Sequence, residues 1–383
     1  MIRVSRAFWP RVSAVLLFAG LGGTLSAQSA GCNRAQAIVD EVKAQYDSGR
    51  PDHPAILAKL KTAQQLCPTL GDAWKYAYCS ALATNDAAGA ERFKTRALFN
   101  NVSDLGCGSA APAPVPALPS FVRQKFALVI GIGTFRDAEI PKLKFAAKDA
   151  RDFARVLTEP KYGNFPPENV TLLTDEKATR KAILNAVQQL IIQAKPEDLV
   201  VVYVSSHGSP SKQDKGLGGI GYIVTYDSSL QDIWVDSIEY QDFADKTSLI
   251  PARRKVAFLD TCFSGQASGT GSKLLSIEGV GVDDRTAKMF LSGEGTFVIT
   301  SSKADERSWE SDSIKNSYFT YYLMDALKSS SDELPTVKDV FQYLSSKVST
   351  AVAKEKNQPQ HPQMHPSTGP GDVRIGVVPS GGS

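Results

Sequence analysis

At 383 residues, with 42% hydrophobic and 22% charged positions, the chain has the make-up of a soluble globular protein with material for two or three cores. Its 43 basic and 40 acidic residues nearly cancel, leaving a formal charge of +3, and no Lys/Arg cluster stands out. That balance gives no support to nucleic-acid binding.

The N-terminus has the three parts of a secretory signal. Arg3, Arg6 and Arg11 supply the positive end, Val12 to Gly23 an apolar stretch of 12 residues, and Leu25-Ser26-Ala27 a small-residue cleavage site before Gln28. Spanning a bilayer takes about 20 residues, so residues 1–27 read as a removable signal rather than an anchor, and no later stretch is long enough to span. The expectation is an exported chain, periplasmic or secreted, with no membrane span after cleavage. Lipid attachment at Cys32 is a weaker alternative, because Ser29 stands where a lipobox has leucine.

Residues 28–107 read as a small all-α domain. Alanine-rich amphipathic stretches fall at about 33–47, 54–66, 71–84 and 87–100, separated by S-G-R-P-D, C-P-T-L-G and T-N-D. Ala55 to Leu66 lines up with Ala88 to Phe99 at an offset of 33, and Trp74 and Tyr78 fall early in the second unit. The period resembles a tetratricopeptide pair; a generic helical bundle is the other reading. Cys32, Cys67, Cys79 and Cys107 all lie here, and an even set in an exported protein points to two disulfides with three pairings open. Two repeats are fewer than a solenoid usually needs, and cross-links would compensate. Residues 108–123 form a Pro/Ala-rich linker that favours extended polyproline conformation.

Residues 124–378 alternate strands and helices. Strand runs fall at Phe126 to Ile132, Val170 to Leu173, Leu199 to Ser206, Lys255 to Leu259 and Thr296 to Thr300. Helices fall near 146–158, 179–194, 237–248, 316–328 and 335–353. Near-continuous apolar strands between amphipathic helices predict an α/β fold with a mostly parallel sheet covered by helices on both faces. Ligands on such sheets bind beyond the carboxyl ends of the strands.

The unusual residues lie at those ends. The strand at 199–206 runs into His207-Gly208, and the strand at 255–259 runs into Asp260-Thr261-Cys262-Phe263-Ser264-Gly265. A lone histidine is usually structural and a lone cysteine usually a small hydrophobe, but both at matching strand ends, each followed closely by glycine, are hard to explain as packing. A free thiol is only a few per cent thiolate at neutral pH. A nearby imidazole would help form the thiolate and later protonate the leaving amine. The N–H groups of Gly208 and Cys262 would supply an oxyanion hole.

These motifs, in this order, resemble the caspase-like cysteine peptidases, within them the bacterial and metacaspase branch. F-A-L-V-I-G-I, A-A-K-D-A-R-D-F, V-S-S-H-G, L-D-T-C-F-S-G, V-I-T-S-S and the late N-Q-P-Q-H-P-Q carry the resemblance over about 124–377. The step of 55 residues from His207 to Cys262 suits the family. Caspases proper have Q-A-C-R-G around the nucleophile and metacaspases often D-S-C-H-S-G, from which Phe263 departs. The resemblance implies a pocket for a basic substrate residue formed by Asp260, Asp149 and Ser205. Glu310 stands where caspases carry an aspartate-binding arginine, which also favours Arg or Lys. Solvated charge is the plain alternative for Asp149 and Glu310. The glycine- and serine-bearing stretch from Ser264 to Gly295 holds Lys273, Arg285 and Lys288, candidate self-cleavage sites if the loop is not simply a lid.

Other signals fail. Gly131-Ile-Gly133 lacks the third glycine of a dinucleotide fingerprint, and no G-x-S-x-G is present. His361 and His365 lie in a proline-rich stretch without paired ligands, so no zinc site is expected. No EF-hand-like spacing supports calcium, and no cofactor is expected. The reading is an endopeptidase cleaving protein or peptide substrates after Arg or Lys, with a helical module that binds a protein partner or the substrate, or restrains the peptidase. The rival is a catalytically silent scaffold that uses the helices.

Overall fold

The computed structural model describes residues 22–84, 86–100, 102–107, 121–208, 221–261, 295–303, 306–329, 335–366 and 373–375. Residues 1–21, where most of the expected signal lies, most of the expected linker, Cys262, and Lys273, Arg285 and Lys288 lie outside them.

Four helices come first: α1 (Gly22–Asp47), α2 (His53–Leu66), α3 (Gly71–Ala83) and α4 (Ala87–Phe99). Helix α1 begins 11 residues before the expected start at 33 and runs through the expected cleavage site, since nothing between Thr24 and Ala30 is a proline. Asp52 caps α2 through the N–H of Ala55, with Pro54 in its first turn, and Asp86 caps α4 through Gly89. Each helix packs on the next around Val39, Val42, Ile56, Leu60, Ala63, Ala73 and Ala77. Disulfides Cys32–Cys67 and Cys79–Cys107 close loops of 35 and 28 residues over this core. The first engages Cys32, so its thiol is not left for a lipid.

The remaining elements are β1 (Lys125–Gly131), α5 (Ala146–Thr158), β2 (Val170–Thr174), α6 (Arg180–Gln193), β3 (Leu199–Ser206), β4 (Tyr222–Ile223), α7 (Ile233–Asp236), β5 (Ile238–Glu239), α8 (Tyr240–Ser248), β6 (Arg254–Thr261), β7 (Thr296–Thr300), β8 (Glu310–Ser311), β9 (Asn316–Ser317), α9 (Tyr318–Lys328), α10 (Val337–Lys356) and β10 (Gln363–His365). Six strands form the main sheet in the order β2-β1-β3-β6-β7-β10, all parallel except β10.

Two apolar layers sandwich that sheet, and strand alternation sorts residues between them. Phe126, Leu128, Ile130, Val200, Val202, Val204, Ala257 and Leu259 face α6 and α8, meeting Ile183, Val187, Leu190 and Phe243. Ala127, Val129, Val201, Tyr203, Val256, Phe258, Phe297 and Ile299 face the other way, onto Phe153, Leu157, Phe319, Leu323, Leu344 and Val348. The same alternation carries Ser205 and Asp260 to the second face, beneath α5 and α9.

Three expectations need correction. Residues 316–317 pair with 310–311 as a short ladder, and the helix starts at Tyr318, because Ser317 is its N-cap and accepts from the N–H of Thr320. Residues 238–239 pair with β4 before α8 begins at Tyr240. The edge strand β10, antiparallel to β7, was not expected at all, since Q-M-H carries no apolar run. Strands this short are fixed by their partners, not by their own residues.

The helical unit meets the sheet unit through Arg96 of α4. Its guanidinium lies 5.3 Å from the Trp74 ring centre and pairs with Asp245 of α8, which Gln241 also holds at 2.9 Å.

Candidate active site

The parallel register of β3 and β6 pairs Ser205 with Asp260 and Ser206 with Thr261. The next residue of one strand is His207; the next of the other is Cys262, which lies outside the described residues. His207 ends β3 beside the point where the chain leaves β1 over one face for β2 and returns over the other to β3. In open α/β sheets this reversal leaves a crevice at the carboxyl ends.

Two groups hold the imidazole of His207, which is buried. Phe135, in the loop after β1, stacks on the imidazole with ring centres 5.3 Å apart and planes 24° from parallel. That loop is itself pinned by Asp175, whose Oδ1 accepts from the N–H groups of Gly133 and Thr134 at 2.9 Å each. The Pro141 carbonyl lies 2.7 Å from His207 Nε2. A carbonyl only accepts, so Nε2 carries a proton, which puts the basic lone pair on Nδ1 whenever the ring is neutral.

Gly208 forms an antiparallel bridge with Ile223 in which the Val224 N–H donates to the His207 carbonyl at 2.9 Å. In that type of pair the bonds flank the bridge residue. The N–H of Gly208 therefore does not enter it.

Beside this edge lies a buried acidic site. Asp260 is fully buried and accepts three hydroxyl hydrogen bonds: Ser308 on Oδ1 at 2.8 Å, Ser317 and Thr320 on Oδ2 at 2.5 and 2.9 Å. The Tyr203 hydroxyl stands 2.5 Å from Thr320 Oγ1 and donates to it, since Thr320 gives its own proton to Asp260. Burial, then the charges of Asp149 and Asp260, push the Tyr203 hydroxyl well above its ordinary range, so it stays a donor.

Asp149, in the first turn of α5, reaches the same place from the helix layer and is also fully buried. It accepts from Asn316 Nδ2 at 2.6 Å and from the Ser317 N–H at 3.1 Å. Burial raises its carboxyl well above the usual range, with Asp260 adding to the rise and the bonds from Asn316 and Ser317 opposing it. Ser317 thus bonds both acids, one through its amide and one through its hydroxyl.

Glu310 sits differently. Its two oxygens accept from the N–H groups of Phe145 at 2.6 Å and Lys144 at 3.0 Å, at the start of α5, where Phe145 provides no side-chain cap. It therefore caps the helix that carries Asp149. Burial raises its carboxyl, those two N–H bonds oppose the rise, and Asp260 adds to it.

The structure thus brings Asp149, Ser205, Asp260 and Glu310 to the edge that bears His207. Among the described residues no group of three or more His, Cys, Asp or Glu is arranged to hold a metal ion. His361 is instead bonded to Glu306, through Nδ1 and through its own N–H, at 2.6 Å each. Sequence reading missed Ser308, Asn316, Ser317 and Thr320. Polar residues preceding a helix pattern were the one available signal, and they gave no hint of which acids they would meet.

The family model for the caspase domain matches residues 124–372. Metacaspase-1A of Aspergillus oryzae is 27% identical over 196 residues, covering 46% of this chain and 42% of that protein. Metacaspase-4 of Arabidopsis thaliana is 32% identical over 133 residues, covering 32% of this chain and 30% of its own. The chain thus spans less than half the length of these relatives. Among solved structures, caspase-1 from Spodoptera frugiperda aligns with 16% identity and a TM-score of 0.45, over 70% of this chain and 97% of that one.

Proposed function

The chain belongs to the caspase-domain family, and from that premise we propose that it is a cysteine endopeptidase cleaving after Arg or Lys. Cys262 is the nucleophile and His207 the acid and base. The observation that carries the reading is the β3–β6 register, which ends on Ser206 and Thr261 immediately before those two residues, with two buried carboxyl groups alongside.

In this reading the Nδ1 lone pair takes the thiol proton and returns it to the leaving amine, while Phe135 and the Pro141 carbonyl hold the ring. The sulfur attacks the scissile carbonyl, whose oxygen gathers negative charge. The N–H groups of Gly208 and Cys262 receive that charge, each such donor being worth about 2.7–4 kcal/mol in the transition state. Water then hydrolyses the acyl-enzyme. The cationic side chain on the amino side of the scissile bond pairs with Asp260 and Asp149, next to Ser205 and under the negative charge of Glu310. An entering guanidinium favours the ionised form of Asp149, which burial disfavours.

Lys273, Arg285 and Lys288 are the bonds the enzyme would cut in itself. The two disulfides suit an oxidising compartment, and we assign the chain to an exported location after removal of residues 1–27. No helix among the described residues is long and apolar enough to cross a membrane. The helical unit, with its weak 33-residue repeat, is the place for a protein partner.

The test is a panel of fluorogenic peptides differing only in the residue before the cut: Arg, Lys, Asp and norleucine. Arg and Lys peptides should turn over, and Cys262→Ala should abolish it. Turnover of the Asp peptide alone, or none with or without calcium, would sink the reading. On a gel, wild type but not Cys262→Ala should show cleavage fragments; identical intact bands would remove self-processing.

A further inference from the structure

The late N-Q-P-Q-H-P-Q element has no part in the chemistry above, yet its central residue is wholly buried. Gln360 shows no exposed surface. Its Nε2 donates to the Ser301 carbonyl at 3.0 Å and to Ser308 Oγ at 3.1 Å, and its Oε1 accepts from the Trp309 N–H at 2.9 Å. Ser308 in turn gives its proton to Asp260. A serine hydroxyl has one proton and can rotate to suit several acceptors. With Gln360 donating to its oxygen, that proton is left to the carboxylate.

The backbone around Gln360 fits this task. Helix α10 ends at Asn357 in a left-handed turn, φ 52°, which brings the chain back toward the sheet. Gln360 then reaches inward, and His361 holds Glu306 on the same 301–309 segment. The Gln360 carbonyl is itself held by Ser349 Oγ of α10 at 2.9 Å. The turn staples one wall of the acidic site from behind, at three successive points: Ser301, Glu306 and Ser308–Trp309.

We infer that Gln360 is a positioning residue for substrate specificity: acting through Ser308, it fixes the Asp260 carboxylate in the orientation that receives a cationic substrate side chain. This rests on the pocket assigned under the proposed function. Among the described residues Gln360 bonds through its side chain to Ser301, Ser308 and Trp309 and not to His207, so its loss should be felt in binding of the basic residue and little in the chemical step.

The experiment compares full-length wild type, Gln360→Leu, Ser308→Ala and the double variant on matched Arg and norleucine peptides, with Tm recorded for each. Ser308→Ala, which removes one hydrogen bond to a charged group, should raise KM for the Arg peptide about tenfold, and Gln360→Leu, acting through Ser308, should raise it in the same direction by no more than that, with kcat held within about twofold in both. The loss should be confined to the Arg peptide. The double variant should be no worse than Ser308→Ala, because both substitutions remove one chain of contacts. If Gln360→Leu does not fold, Gln360→Glu replaces it: it keeps the acceptor for Trp309 and loses both donors. Wild-type KM in a folded Gln360 variant, multiplied losses in the double variant, or equal losses on both peptides would overturn the inference. A wild type that does not prefer Arg over norleucine removes the pocket itself, and the inference with it.

Discussion

Asp149 is fully buried in the first turn of α5 with a carboxyl raised well above its ordinary value, chiefly by burial and then by Asp260. A carboxyl whose folded-state pKa is raised binds its proton more tightly in the native protein than in the unfolded chain. Stability is then greatest below the unfolded pKa, near 3.8, and is lost as pH rises through the folded value. Asparagine at 149 does not titrate. The Tm of Asp149→Asn minus that of wild type should therefore climb as pH rises from about 4 and level off above the raised pKa. A difference independent of pH, measured by thermal melts between pH 3.5 and 8, would mean that folding leaves the Asp149 carboxyl unshifted. The buried acid thus costs the folded protein stability as pH rises.

At the scale of elements, the site depends on how closely α5 lies on β1. A Cβ built on Gly131 would stand 2.4 Å from Ala150 Cβ and 2.5 Å from the Ala146 carbonyl oxygen. The glycine pair at 131 and 133, unconvincing as a nucleotide fingerprint, is explained at Gly131 by this contact. Gly131→Ala should force the first turn of α5 away from the strand and move Asp149 with it. Overpacking of this kind costs about 1–3 kcal/mol, several degrees in Tm, and KM for an Arg peptide should rise as well. An unchanged Tm in Gly131→Ala would show that α5 yields freely. The long elements were legible because burial on both faces writes itself as the apolar runs of β1, β3, β6 and β7 and as the stripes of α5, α6 and α10. The strand ends at His207 and Asp260 were legible for the same reason, since polar residues stop those runs abruptly. What could not be read were the pairings that complete the site. Asn316 meets Asp149 across 167 positions and Ser317 meets Asp260 across 57, and nothing local distinguishes these polar side chains from a helix start. Glu310 shows the same limit: a charge placed in the pocket by resemblance also caps α5 from 165 positions away.

The whole molecule resolves its five cysteines into two kinds. Four are consumed by Cys32–Cys67 and Cys79–Cys107, both inside the helical unit. Closing loops of 35 and 28 residues removes unfolded-state entropy, worth about 4 kcal/mol each in the chain-entropy treatment. That supports a unit of four helices whose core is mostly alanine and small aliphatic side chains. It also leaves Cys262 with no cysteine partner in the chain, since five minus four is one. A nucleophilic thiol in an oxidising compartment is exposed to exchange with other thiols. Pairing all the others within their own unit removes that hazard at its nearest source. Titration of the denatured, unreduced protein with a thiol reagent should find one free group per chain, and Cys262→Ala should find none. In the folded protein the one group should react faster than a model thiol at neutral pH, and His207→Ala should slow it, because the imidazole favours the thiolate. Zero free thiols in the wild type would place Cys262 in a disulfide and end the peptidase reading; three would break one of the two pairs and leave the helical unit without half of its cross-linking.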